Sequence, residues 1–519
     1  MSELLHELIL NSAKRHPGRV ALIHKDEHWN YQQLTDALNH FAQFLLGHGL
    51  SSGGRVAVYL PKQFETPVAL FGAQLAGGVM VPVNPQLKGP QVGHIINDSS
   101  SEFLVTSRHR YQQIKEHLND ATSLKAIILI DDPSPQDAQC HYWSLDSHVD
   151  TFPPHRRINR DIAALLYTSG STGKPKGVVL SHLNMVAGAY SVAQYLENHV
   201  DDRILSVLPL SFDYGLSQLT TAFLTGASVV LLEYLLPRDV IKAIDKYQIT
   251  GLAAVPPLWV QLAELPWPDS LESLRYITNS GGTMPKTTLH KLRSKLPNTQ
   301  PYLMYGLTEA FRSTYLHPSQ LDVRPNSIGK AIPNAEILVI NSKGELCKPN
   351  EPGELVHRGV HVGIGYWNNP EKTAERYRPL PGQEGLLNPE LAVWSGDTVK
   401  MDEEGYLYFI GRQDDMIKSS GYRISPMEIE EEVHQFEEVA EVAAIGVPHH
   451  QLGQAIVLAI QLNNSTTNTT DAILKQCKTK LPNFMQPQHI ELYEMLPRNA
   501  NGKIDRPKLV EEHKQRFQQ

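Results

Sequence analysis

One alternation limits the fold of this chain more than any other feature. From the N-terminal region to about Leu303, short β-branched runs take turns with segments of helical period. Arg55-Val56-Ala57-Val58-Tyr59-Leu60 reads as a strand, 64–75 as a helix ending before Gly77-Gly78, and 79–83 as the next strand. The rhythm returns at 204–208, 216–224 and 229–232, then in a helix over 239–247 and strands at 249–255 and 274–278. Strands separated by helices predict parallel βαβ units, since a parallel partner is reached only by a crossover lying on a sheet face. Ligands of such sheets gather at the carboxyl ends of the strands.

The chain has 519 residues, more than one core ordinarily fills, so at least two domains are expected. Its texture changes twice. From 327 to 410 glycines and short strands dominate (336–340, 353–356, 406–410), which predicts a small β-rich, barrel-like subdomain. After Gly411-Arg412 come an acidic helix at 426–436, strands at 442–447 and 455–462, a helix at 474–481 and a strand at 489–493. The expected architecture is α/β. A large N-terminal domain of βαβ-type subdomains over 1–413 precedes a small α+β domain over 414–519, with the boundary at Asp414.

Composition narrows the function. Apolar residues make up 41% and charged ones 20%, as in ordinary globular chains. The 47 basic residues against 55 acidic leave a net charge of −8 with no basic block, which argues against nucleic-acid binding. Cys140, Cys347 and Cys477 are odd in number and far apart, so neither a disulfide framework nor a zinc spacing is present, and a reducing cytoplasm is expected. Residues 1–18 carry Glu3 and Glu7 in an amphipathic pattern, without the basic start and apolar run of a signal peptide. The apolar run near Val255 is broken by Pro256 and Pro257, so no membrane span is expected.

The most informative string is Tyr167 to Gly177, YTSGSTGKPKG, which follows an apparent strand at 163–166. Glycines let successive N–H groups turn inward into an anion-holding concavity; Thr168, Ser169, Ser171 and Thr172 add hydroxyls, and Lys174 and Lys176 add charge. Such a loop suits a polyphosphate. It is not a Walker A loop, because Pro175 stands where that motif needs Ser or Thr after its lysine.

Four further motifs follow in order: YGLTEA at 305–310, WSGDT at 394–398, GRQDDMIKSSGYRISPMEIE at 411–430 and PRNANGKIDR at 497–506. With the phosphate loop they resemble the superfamily of adenylate-forming enzymes, which includes acyl-CoA synthetases, peptide-synthetase adenylation domains and luciferases. The resemblance spans essentially the whole chain. It implies binding of ATP by Thr168, Ser169, Gly170, Ser171, Thr172, Gly173 and Lys176 around the phosphates. Tyr305 and Gly306 would lie against adenine together with the loop of Asn279, Gly281 and Gly282, and Asp397 and Arg412 would hold the ribose. Glu309, with Thr308 and Thr168 nearby, matches the magnesium position, where a hard cation wants oxygen ligands. Lys503 would reach into the cleft and stabilise the charge that builds on carboxylate and α-phosphate during adenylation.

The resemblance also implies rotation of the C-terminal domain about a hinge at Asp414, withdrawing Lys503 and bringing the 420–423 stretch to the cleft. Gly421 would let a pantetheine arm of coenzyme A, or of a carrier protein, pass close to backbone, with Lys418 and Arg423 as phosphate or hinge contacts.

Two segments, LPLSFDYGLSQL and MYGLTEAFRSTYL, are similar to the bacterial acyl-CoA ligase type associated with exosortase A systems. Against a plain acid stands Phe212-Asp213, which falls where amino-acid-activating domains keep an aspartate for the substrate ammonium. Asp213 reads equally as a cap for a helix beginning near Tyr214. Phe212, Asp213 and Tyr214, with His182 at a helix start after the phosphate loop, are the expected acyl-pocket residues. Activation of an amino acid for a carrier protein remains the alternative to acyl-CoA formation. No G-x-S-x-G nucleophile elbow supports a hydrolase.

Overall fold

The computed structural model describes residues 2–517 apart from 169–174, 269–270, 384, 413–415, 420–421, 450–451, 464–469, 482 and 500–501; for Arg412, Lys418, Tyr422, Arg423 and Phe484 it describes the backbone only. Two large sheets and a smaller third organise the chain. In the first, Arg55–Tyr59 lies between Val79–Pro82 and Ser101–Thr106, all parallel, and Val79–Pro82 continues in parallel to Ile162–Thr168. In the second, Arg203–Ser206, Gly251–Ala254, Tyr276–Asn279 and Gln300–Tyr305 run side by side, again in parallel. Most residues of these strands are apolar and buried on both faces, as a sheet covered by helices requires.

Between the sheets lie helices that are apolar almost all round. Glu65–Leu75 is buried from Thr66 to Gln74, and Asp213–Thr225 from Asp213 to Phe223. A helix without a solvent face must sit in the interior. One continuous core accordingly joins Val56 and Phe103 of the first sheet, Phe71 and Phe223 of these helices, and Leu22 and Val229 of the second sheet. Asp213 opens the second of these helices and is thereby carried into the interior.

The stretch from 327 to 410 is β-rich as expected, with Ala335–Ile340, Gly353–Gly359, Leu391–Met401 and Leu407–Arg412 pairing antiparallel. Its strands are not a separate layer. Ser327–Ala331 pairs with both Thr314–Leu316 and Leu407–Arg412, so the ladder continues the second sheet and gives it 14 strands.

The C-terminal residues build a five-stranded sheet of their own around Gly453–Leu462, which pairs antiparallel with Val439–His449 and parallel with His489–Tyr493. Helices Pro426–Val433 and Thr470–Lys480 pack on one face through Ile429, Val433, Ile473 and Cys477, while Arg506–His513 covers the other through Leu509. This core begins at Ile417 and shares no residue with the one that ends at Phe409. Among the described residues no helix is long and apolar enough to cross a membrane.

Candidate active site

The phosphate-loop motif sits in a hairpin. Ile162–Thr168 and Lys176–Ser181 pair antiparallel, and Thr168 stands opposite Lys176 at the open end. Ser169, Gly170, Ser171, Thr172 and Gly173 lie outside the described residues. The Thr168 hydroxyl is buried and has no hydrogen-bond partner among the described residues. The Lys176 ammonium lies 4.0 Å over the ring of Tyr366 and 4.0 Å from Glu309 Oε1. Tyr366 donates its hydroxyl to the same oxygen. Burial holds the Lys176 ammonium below its ordinary pKa, with Glu309 pulling the other way. Arg376, which donates to the Trp394 carbonyl at 2.9 Å, adds a second cation that interacts with Glu309 and Asp397. Partly desolvated cations around one carboxylate and an open hydroxyl form a place where phosphate charge is welcome.

Glu309 stands on a single tight turn, Thr308–Ala310, directly after strand Gln300–Tyr305. Its carboxylate and the Thr168 hydroxyl supply the oxygen donors a hard divalent cation prefers, so the residues present fit magnesium.

At the other end of that strand's loop, the Tyr305 hydroxyl donates to Asp397 Oδ2. Asp397 is paired in register with Arg412 on the neighbouring strand, which brings the two expected ribose residues together. Asn279, at the end of its strand, donates from Nδ2 to the Gly282 carbonyl at 2.9 Å and closes the loop over Gly281. Gly281 has φ +81°, a left-handed conformation that suits glycine. Gly306 lies against Arg312, whose Cα is 3.4 Å from where a Cβ would stand on the glycine.

Lys503 arrives from the C-terminal sheet. A Cβ on Gly281 would stand 3.3 Å from Lys503 Cε, 3.5 Å from Val255 and 3.7 Å from Phe212. The lysine is held at its base: Lys503 N–H donates to Asn499 Oδ1 at 3.1 Å, its carbonyl accepts from Asn499 N–H at 2.8 Å, and Gly502 turns the chain at φ +77°. Arg498 anchors this turn to Glu441 through two bonds of 2.6 Å. Strapped at its foot, the ammonium is presented to the cleft in a limited set of directions.

Asp213 is the first residue of its helix and lies within electrostatic reach of Lys503. Phe212 occupies the capping position and no side-chain cap bond is made, so the helix starts one residue earlier than expected and Asp213 is not its cap. Instead Asp213 accepts from the Thr308 hydroxyl at 3.3 Å and faces the Arg312 guanidinium at 3.5 Å. Burial pushes the Asp213 carboxyl up, against Arg312 and Lys503, which favour its charged form. Tyr214 packs its ring under Arg312 at 4.6 Å and shares a short hydrogen bond with Thr278.

His182 goes elsewhere. It begins helix His182–Tyr195, its Nδ1 accepts from Leu5 N–H at 3.1 Å, and its ring meets His6 edge-on. Burial drops its pKa to about 3, so the ring is a neutral packing element. No described contact joins it to Asp213 or Lys503. Asp414 and Gly421 lie outside the described residues, while Lys418 and Arg423 are cross-strand partners whose side chains are not described.

Sequence reasoning missed Tyr366, Arg376 and Arg312. Gly365–Tyr366 pairs with the strand that leaves the phosphate loop, a contact no local pattern announces. Arg312 lay inside a quoted motif, and a charge next to so apolar a neighbourhood was the available signal.

Comparisons with known proteins bear on the family and the fold. Residues 9–367 match the model of the AMP-binding enzyme family, and 428–503 that of the AMP-binding enzyme C-terminal domain. A long-chain-fatty-acid–CoA ligase of Salmonella typhimurium is 30% identical, covering 98% of this chain and 94% of the relative. An o-succinylbenzoate coenzyme A synthetase of Bacillus subtilis, solved with ATP and a magnesium ion, is 27% identical with a TM-score of 0.83 over 97% of this chain and 98% of that one. The fold is also that of an anthranilate CoA ligase in complex with anthranoyl-AMP, at a TM-score of 0.90, 24% identity and full coverage of both chains. The chain belongs to the AMP-binding enzyme family.

Proposed function

Given that membership, we propose that the protein is an AMP-forming acid–thiol ligase: it activates a carboxylic acid with ATP as an acyl-adenylate, releases pyrophosphate, and passes the acyl group to coenzyme A. The observation that carries this reading is Lys503, brought by the C-terminal sheet to Gly281 and Asp213 in the cleft of the larger domain. A cation placed there stabilises charge that grows only as the carboxylate oxygen attacks the α-phosphorus, which is stabilisation of the transition state over the ground state.

Lys176 and Arg376 hold the phosphates, the Tyr305–Asp397 pair and Arg412 hold the ribose, and Asn279 shapes the loop beside the base. Magnesium held by Glu309, with Thr168 and Thr308 nearby, would neutralise phosphate charge when bound. In the second step a thiol attacks the activated carbonyl and AMP leaves. One lysine cannot serve both steps in one pose, so the domain over 414–519 turns about Asp414, Lys503 withdraws, and the segment with Gly421 and Arg423 takes its place.

The acceptor is coenzyme A. A carrier-protein phosphopantetheine presents the same thiol, but the amino-acid chemistry that would accompany it is opposed by Arg312, which already confronts Asp213. ATP–pyrophosphate exchange without thiol, across fatty, aryl, hydroxy and amino acids, tests the reading. Exchange that depends on the acid and on Lys503 supports it; exchange without acid, or none with any acid, refutes it.

A further inference from the structure

Arg312 is an anomaly that the mechanism above does not use. Its residue is 2% exposed, yet its guanidinium makes no hydrogen bond among the described residues, and Nε is buried without a partner. Its contacts are the Asp213 carboxylate at 3.5 Å, beyond good hydrogen-bond length, and the rings of Tyr214 and Phe311 at 4.6 and 5.7 Å. A buried guanidinium N–H left without an acceptor is costly unless something else meets it.

The backbone is bent to put it there. Phe311 has φ +58° and ψ −44°, and Arg312 N–H donates to the Ala310 carbonyl at 2.6 Å. That is a tight three-residue turn of the strained hand, at a fully buried phenylalanine. The turn directs the chain straight after Glu309 so that Arg312 lies beside Gly306 and against Asp213. Asp213 in turn interacts with Lys503. The acid's carboxylate belongs beside Lys503 on the reading above, and Lys503 shares the Gly281 neighbourhood with Phe212, the residue before Asp213, which puts the Asp213–Arg312 pair beside the acyl site.

We infer that Asp213 and Arg312 together form a polar specificity site for a hydroxyl on the acid, close to its carboxylate. A hydroxyl is the substituent that satisfies both: it donates to the aspartate and accepts from the arginine. The pair is neutral overall, so an ammonium gains from Asp213 and loses to Arg312, and a second carboxylate meets the reverse. A plain alkyl chain leaves the Arg312 Nε donor unserved, and a site built to hydrogen-bond a hydroxyl discriminates strongly against the analogue lacking it. The substrate class is therefore a hydroxy acid. This deepens the ligase reading and rests on it.

The test is acid-dependent pyrophosphate release by the full chain, with kcat/KM compared across acids of one chain length: 2- and 3-hydroxy, unsubstituted, 2-amino and dicarboxylic. A hydroxy acid is expected to lead the unsubstituted one by tenfold or more, and Arg312→Met and Asp213→Asn are each expected to bring that ratio toward one. Equal use of the two acids, a lead by the amino acid or dicarboxylate, or a ratio untouched in both variants overturns the inference and leaves the ligase standing. Release with no acid at all overturns the ligase reading itself. Where a variant does not fold, the wild-type ranking decides alone.

Discussion

Replacing Lys503 by alanine separates the two half-reactions. In the structure the lysine stem lies against Gly281 and its charge is felt by the buried Asp213. A unit charge about 4 Å from developing negative charge, at an effective dielectric near 20, is worth roughly 4 kcal/mol. At about 1.4 kcal/mol per tenfold, Lys503→Ala should slow adenylation about a thousandfold. The side chain is partly exposed at the tip of a turn held by Arg498–Glu441, so folding stability should change by no more than about 0.5 kcal/mol. Adenylation is read as pyrophosphate release in a single turnover with ATP and acid. The second half is read by supplying synthetic acyl-adenylate and coenzyme A, and should fall by less than about threefold, because the proposed rotation withdraws Lys503 from the cleft. Equal loss in both halves would refute the idea that this lysine serves one step only.

Other perturbations probe the remaining parts. Glu309→Gln keeps the shape of the turn but removes the charge, so the magnesium needed for half-maximal activity should rise at least about tenfold; an unchanged titration would exclude Glu309 from the metal site. Gly281→Ala adds a Cβ 3.3 Å from Lys503 Cε at a position with φ +81°. The backbone strain costs about 1–2 kcal/mol, seen as a lower Tm, and the crowding should slow adenylation more than thioester formation. The buried histidines make the protein acid-sensitive. Burial lowers His6 and His361 to about 4 and His182 and His357 to about 3, from 6.5. The unfolded chain therefore binds protons first, and stability that is full above pH 7 falls as pH drops through 6.5 toward 3. At pH 5 each ring costs at most about 2 kcal/mol. Urea unfolding at pH 7.5 and 5 should show the loss, and His182→Asn should reduce it; equal stabilities would contradict the burial argument.

Much of this architecture was legible because its signals are local. The strand at 55–60 and the helix at 64–75 appear within a residue of where periodicity puts them, and 489–493 appears as His489–Tyr493. Asp397 and Arg412 were read as partners from separate motifs, and cross-strand register brings them together. What stayed hidden depends on distant segments. Nothing near Tyr366 says that its hydroxyl reaches Glu309, and nothing near His182 says that its ring accepts from Leu5 N–H. The β-rich stretch looked self-contained because short strands do not reveal whose edge they extend; Ser327–Ala331 joins it to the second sheet. Asp213 was read through two familiar roles, cap and ammonium anchor. The structure offers a third partner, Arg312, whose position depends on a strained turn at Phe311 that composition does not foretell.

The central claim is that the acid's own oxygen attacks the α-phosphorus of ATP. Turnover of an acid labelled with oxygen-18 in its carboxylate, followed by mass spectrometry of the products, tests this directly. Adenylation predicts one labelled oxygen in AMP, none in pyrophosphate, and the acyl group on coenzyme A. Label appearing in inorganic phosphate alongside ADP, or AMP formed without label, would contradict the account.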